Sequence, residues 1–137
     1  MIGISSLIST GGANINFYKF IDNNWINVTN DVLPQLNLSY FLNKEYKGNN
    51  WNTLEKAVKK SLKDNSYNLE KAIDYQYILP RVGTDIIIKI AFTRCRSYFG
   101  YHDYTDHGKK ALNYLENNSK EIQLFWNPKI NKFIIKK

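Results

Sequence analysis

The sequence predicts an α+β fold in a single domain, 1–137: a mainly antiparallel sheet of about five or six strands with two helices packed on one face. Three observations predict it. Asp85 to Thr93 alternates as a strand does, the stretches Ile15–Thr29 and Ile122–Ile135 each read as strand, Asn-rich turn, strand, and two further stretches carry apolar residues at helical spacing.

The strongest pattern lies at the centre. Ile86, Ile88, Ile90 and Phe92 fall on one face, and Ile87, Lys89, Ala91 and Thr93 on the other. One face is fully apolar and the other mixed, which suits a central strand half covered on its second side. Just before it, Pro80-Arg81-Val82-Gly83 has turn chemistry, and Tyr77 to Leu79 can pair as a short extended run.

The remaining elements follow in chain order. After Gly11-Gly12, Ile15, Phe17, Lys19 and Ile21 alternate with Asn16, Tyr18 and Phe20; Asp22-Asn23-Asn24 then breaks the pattern and Trp25 to Thr29 resumes it. Asn tolerates the left-handed conformation that a tight hairpin loop needs. Leu33-Pro34 ends that strand, and Leu36 to Leu42 reads equally as a short helix or an irregular apolar segment. Lys44 to Asn50 is a polar loop. Asn52 with Glu55 forms a capping-box pattern ahead of Leu54, Val58 and Leu62, which predicts a helix from Thr53 to Lys63 with Lys56, Lys59, Lys60 and Lys63 on a solvated face. Leu69, Ala72 and Ile73 suggest one or two further turns. A second helix is expected from Asp106 or His107 to Glu116, with Ala111, Leu112 and Leu115 inward, and the chain closes with a hairpin turning at Asn127-Pro128-Lys129-Ile130-Asn131.

Composition bounds the function. A chain of 137 residues buries roughly two thirds of its unfolded surface and folds without metal or disulfide. The lone Cys95 agrees, fitting a reducing compartment or an exported domain that uses no bridges. Nineteen basic against twelve acidic residues give a net charge of +7, which permits anionic partners, although Asn, Ile, Lys and Tyr are over-used together as an AT-rich genome imposes. The absence of an apolar run of about 20 residues excludes membrane insertion and predicts a soluble protein. Met1 to Thr10 lacks the basic start and long apolar centre of a signal peptide, so the chain is expected in the cytoplasm if Met1 is native and outside it if a signal has been removed. No cofactor is expected: there is no phosphate-binding Gly-rich loop, no G-x-S-x-G elbow and no Cys-x-x-Cys.

One segment stands apart in composition. Thr93 to Gly108 holds both histidines, two of the three arginines and four aromatic residues. Its first reading is a protein-binding surface made by Tyr98, Tyr101, Tyr104, Arg94 and Arg96, since Tyr, Trp and Arg dominate interface hot spots; a small inhibitor or immunity-type scaffold fits this class. The alternative is a nucleic-acid binder or metal-independent ribonuclease, with His102 and His107 as base and acid, Arg94, Arg96 and Lys109 around the phosphate, and the tyrosines stacking bases. A metal site from His102, Asp103, Asp106 and His107 has ligand types without a zinc spacing, so no metal is expected. Cys95, placed by the alternation with Thr93 and Ala91, reads as a half-buried core thiol rather than a nucleophile.

The runs Asn24-Trp25-Ile26-Asn27-Val28-Thr29-Asn30-Asp31-Val32-Leu33-Pro34, Leu79-Pro80-Arg81-Val82-Gly83-Thr84-Asp85-Ile86 and Leu124-Phe125-Trp126-Asn127-Pro128-Lys129 resemble, in their turns, a group of small β-rich bacterial domains of uncharacterised function, often exported in Bacteroidota. The resemblance implies a shared fold and no activity, and it carries over no functional residue. The chain departs from that group in the helical insert Asn52 to Asp64 and in the histidine-containing segment.

Overall fold

Residues 2–7, 13–79, 85–99 and 106–136 are described by a computed structural model. The chain is α+β, with two sheets and several helices divided between two compact units. One unit takes the chain up to Leu36, Tyr75–Lys89 and the part from Glu121; the other takes Asn37–Asp74 and Ile90–Lys120. No helix among the described residues is long and apolar enough to cross a membrane.

The first unit is built on hairpins. Strands β1 (Ile2–Leu7), β2 (Ala13–Ile21) and β3 (Asn24–Asn27) form an antiparallel sheet in that order. The turn between β2 and β3 is the two-residue loop Asp22-Asn23, with φ of 48° and 63°, the positive values that a type I′ turn requires. Asn24, expected in the loop, pairs with Ile21. The chain leaves β3 as the short helix α1 (Thr29–Val32), and Thr29 continues the ladder with its side chain: Val28 N–H donates to the Phe17 carbonyl at 2.8 Å while Phe17 N–H donates to Thr29 Oγ1 at 2.8 Å. Thr29 N–H in turn donates to Asn27 Oδ1 at 3.0 Å, so the donors of Phe17, Val28 and Thr29 are all paired where strand becomes helix.

Strands β4 (Asp74–Ile78), β5 (Ile86–Ala91), β6 (Ile122–Asn127) and β7 (Lys132–Ile135) form a second sheet in sequence order, antiparallel from β5 to β7. The β5 alternation holds: Ile86, Ile88 and Ile90 are buried and Ile87, Lys89 and Ala91 are half-buried. The turn 80–84 lies outside the described residues. Phe17 on β2 and Phe133 on β7 meet with ring centres 5.1 Å apart, and Trp126 on β6 meets the Phe133 ring edge-on at 5.1 Å.

The second unit is helical. Helix α2 (Ser39–Leu42) and a 3₁₀ turn (Asn43–Glu45) lead to α3 (Asn49–Leu62); a 3₁₀ turn (Leu69–Ala72), α4 (Thr93–Phe99) and α5 (Asp106–Asn118) complete it. Helix α3 packs on α5; Trp51, Leu54 and Val58 of the first and Ala111, Leu112 and Leu115 of the second are all buried. Helix α3 starts one turn before the expected Thr53. Gly48, not Asn52, is its N-cap, and a Cβ there would stand 2.9 Å from the Lys44 carbonyl oxygen. The close approach of the Lys44 backbone therefore sets the start, and it admits Trp51 to the core.

Three expectations are corrected. The described residues hold seven strands in two sheets, against five or six in one, because the weakly patterned β1 is a strand and β2–β3 stays apart from β4–β7. The two long helices pack on each other, and the described residues hold three shorter helices besides, against two helices expected. The central alternation ends at Phe92: from Thr93 the chain is helix, so Thr93 and Cys95 are not strand residues.

Two stability outcomes follow. Leu54→Ala, in a fully buried site, is expected to cost about 2–5 kcal/mol. Asn23→Gly should leave stability within about 0.5 kcal/mol, whereas Asn23→Val forces a branched side chain into the left-handed region and costs about 1–2 kcal/mol. Urea unfolding midpoints measure all three, and equal midpoints for the glycine and valine variants would contradict the I′ turn.

Candidate interaction surface

The compositionally unusual segment resolves into separate environments. Arg94, Cys95 and Arg96 are consecutive on α4, where each residue turns by about 100°. Arg94 lies 3.5 Å from Asp74 Oδ1 and donates to the Lys71 carbonyl at 3.0 Å. Arg96 makes a two-pronged pair with Glu116 on α5, its Nε and Nη2 donating at 2.8 and 2.6 Å, and this pairing raises the guanidinium pKa further. Both cations expected at a polyanion or interface site thus already hold carboxylates within their own unit.

Cys95 points the third way and is fully buried. Burial pushes its thiol up to about 12, with the Glu116 and Asp74 charges adding to the effect. It is a core thiol, as its type suggested, but on a helix and wholly enclosed. His107 and Lys109 are exposed on the first turn of α5 and, two positions apart, do not share a face. The side chain of Tyr98, and Tyr101, His102, Asp103 and Tyr104 entirely, lie outside the described residues. Among the described residues no group of three or more His, Cys, Asp or Glu is placed to hold a metal ion.

The exposed apolar surface is elsewhere, on the β2–β3 hairpin. Phe20 and Trp25 are each 55 % exposed, Ile26 45 % and Ile21 37 %. Register explains how all four escape burial. Phe20 and Trp25 are direct partners on one face, their rings 5.1 Å apart and tilted by 51°; Lys19 and Ile26 are partners on the other, next to Ile21. Phe17 anchors this second face in the core, but the strands run on beyond it. The outer part of the hairpin is apolar on both faces, and a two-stranded ribbon cannot bury both against one core. The signal was present in the sequence as alternation with large apolar residues at both parities, Phe20 and Trp25 against Ile21 and Ile26.

Two hollows flank this hairpin's base within the same unit. The larger, about 650 Å³, has apolar walls from Val28, Val32, Trp126, Ile130 and Phe133. Lys19, Lys132, Asp31 and Asn131 complete it. The smaller, about 410 Å³, sets Tyr75 and Tyr77 of β4 against Thr29, Asn30 and Gln35. Burial raises the Tyr77 phenol, with the Tyr75 charge adding to it, so the Tyr77 hydroxyl stays protonated at neutral pH.

These features define a small α+β protein whose helical unit holds Arg94 and Arg96 in internal ion pairs and whose hairpin unit carries exposed aromatic surface. The chain matches no protein-family model, no curated protein and no solved structure.

The Cys95 placement has a pH consequence. An unfolded thiol titrates at about 8.5, so between that pH and about 12 the unfolded chain binds fewer protons than the folded one. The contribution is complete below the unfolded value and is lost as pH rises toward the folded one. The urea midpoint of the native sequence is therefore expected to fall more steeply from about pH 8.5 to about 11 than that of Cys95→Ala. A disulfide reagent should leave the native thiol unreacted and modify it once urea unfolds the chain; rapid native modification would contradict its enclosure.

Proposed function

We propose that this chain is a non-enzymatic binding protein, of the small inhibitor or immunity type, whose partner is a protein with an acidic surface. The observation that carries the reading is the β2–β3 hairpin, with four large apolar side chains exposed around a Phe20–Trp25 pair. Trp and aromatic pairs anchor interfaces because they remove much apolar area from water with few rotatable bonds. The net charge of +7 steers an acidic partner toward the chain and sets its encounter rate more than its affinity. Tyr98, Tyr101 and Tyr104 belong to this proposal as a second contact region, while Arg94 and Arg96 contribute less than their type suggests because each already has a carboxylate. The nuclease alternative requires cations around a phosphate, and that same pairing gives it less support than the composition did.

The test compares the native sequence with Phe20→Ser/Trp25→Ser as bait for partners, followed by calorimetric titration of each identified partner. The variant is expected to weaken binding at least about tenfold while its unfolding midpoint stays close to native. Association should slow as salt rises from about 0.05 to 0.5 M, as screening removes steering. Unchanged affinity in the variant would remove the hairpin from the interface. Cleavage of labelled single-stranded RNA by the native chain, lost in His102→Ala/His107→Ala, would replace this proposal with the nuclease one.

A further inference from the structure

The larger hollow carries chemistry that a protein interface on the hairpin does not use. Its volume of about 650 Å³ lies within the range of small-ligand pockets, and its apolar walls come from five places in the chain: Val28 after β3, Val32 of α1, Trp126 of β6, Phe133 of β7, and Ile130 of the turn between them. The walls are held in place. Trp126 and Phe133 are directly opposite in the β6–β7 ladder with rings edge-on, Phe133 is locked against Phe17, and the turn is closed by Lys129 N–H donating to Asn127 Oδ1 at 3.0 Å, with Asn131 left-handed at φ 53°.

We propose that this hollow binds a small apolar carboxylate: one aromatic or branched aliphatic body bearing one anionic group. The body replaces water against Trp126, Phe133 and Ile130, and the carboxylate pairs with Lys19 and Lys132, which line the hollow from β2 and β7. Among the described residues neither lysine has a carboxylate within 4 Å, in contrast to Arg94 and Arg96. Asp31, the one acidic residue of the lining, leaves a single net positive charge, which matches a monoanion and disfavours a dianion. An apolar floor under unpaired cations selects a ligand with both features, because a neutral body leaves the lysines without a counter-charge and a bare anion leaves the apolar wall in water.

The experiment titrates 2-naphthoate, its neutral isostere 2-naphthamide and 2,6-naphthalenedicarboxylate into the isotopically labelled full chain, reading backbone and indole N–H shifts. The expected result is saturable shifts at Val28, Trp126, Ile130 and Lys132, with naphthoate about three- to tenfold tighter than naphthamide and tighter than the dicarboxylate. Lys19→Gln/Lys132→Gln should bring naphthoate to the affinity of naphthamide, and Ile130→Glu, at an exposed turn position, should abolish naphthoate binding without unfolding the chain. Trp25→Ser should leave naphthoate binding intact, which separates this site from the hairpin surface. Equal affinities of naphthoate and naphthamide, or shifts confined to Phe20 and Trp25, overturn the proposal. So do concentration-dependent shifts of the hollow's residues without ligand, which would assign it to a second copy of the chain. Tighter binding there of the peptide Asp-Phe-Asp-Trp-Asp than of naphthoate would likewise replace the small ligand with a polypeptide.

Discussion

The contact on which the hairpin unit depends is the aromatic chain Phe17–Phe133–Trp126. It joins β2 of one sheet to β6 and β7 of the other, and everything of functional interest in that unit is placed by it. Two residues along β2 from Phe17, on the same face, stands Lys19; one residue before Phe133 on β7 stands Lys132. Fixing the two rings therefore fixes the bases of both lysines beside a common hollow. The same anchor marks where the core ends. Inside Phe17 the inner face of β2 is buried; beyond it Ile21 and Ile26 are exposed although their pattern is that of core residues. Aromatic contacts of this kind contribute about 0.5–1.5 kcal/mol beyond the area they bury, but their positional effect is larger than their energy, since the register of both hairpins relative to each other rests on them.

The helical unit shows the opposite use of charge. Glu116 is largely shielded and accepts both prongs of Arg96, and Asp74, more shielded still, faces Arg94. A partly buried carboxylate without a cation would carry a desolvation cost of a few kcal/mol, so these arginines are required by the acids they cover. That accounts for a segment dense in Arg near a chemically suggestive Cys: α4 seals one side of the unit, with the thiol inward and the guanidiniums closing over acids from β4 and α5. Composition alone cannot distinguish a cation that waits for a ligand from one that neutralises a neighbour, because the neighbour lies 20 residues away, as Arg96 and Glu116 do.

The legible parts of the fold were those whose signals are local. The Asp22-Asn23 turn, the β5 alternation and the inward face of α5 follow from residues within a few positions of one another, and each is where periodicity and turn chemistry put it, save that the turn is one residue shorter than expected because Asn24 pairs with Ile21. Helix α4 was not legible because Ala91, Thr93 and Cys95 extend the period-2 pattern past Phe92, and Thr and Cys are no stronger as helix formers than as strand residues. The start of α3 depended on a backbone approach between Gly48 and Lys44, which no spacing encodes. The sheet count turned on whether β1 pairs with β2, a non-local choice that its Gly- and Ser-containing sequence specifies weakly. The candidate surface was missed for a related reason: each face of the β2–β3 hairpin looks like a core face by itself, and only the ratio of hairpin length to core depth shows that neither is covered at the tip.

An exposed ribbon with apolar residues on both faces is an association hazard, and the placement of charge and turn residues around it counters that hazard. Asp22, Asn23 and Asn24 cap the tip with polar groups, and Lys19 stands directly across from Ile26, so a second hairpin approaching the Ile21–Ile26 face edge to edge meets a like charge. The Phe20–Trp25 face has no such cation at its paired positions. The two faces are therefore not equivalent: the lysine-bearing face carries a charge that opposes a second copy of the chain and adjoins the hollow, while the aromatic face is the one that the proposed binding role uses. Under the proposed binding role, selection by charge and anchoring by aromatic area would fall to different residues of one short hairpin, so that affinity and specificity would be altered separately by substitution at Trp25 and at Lys19.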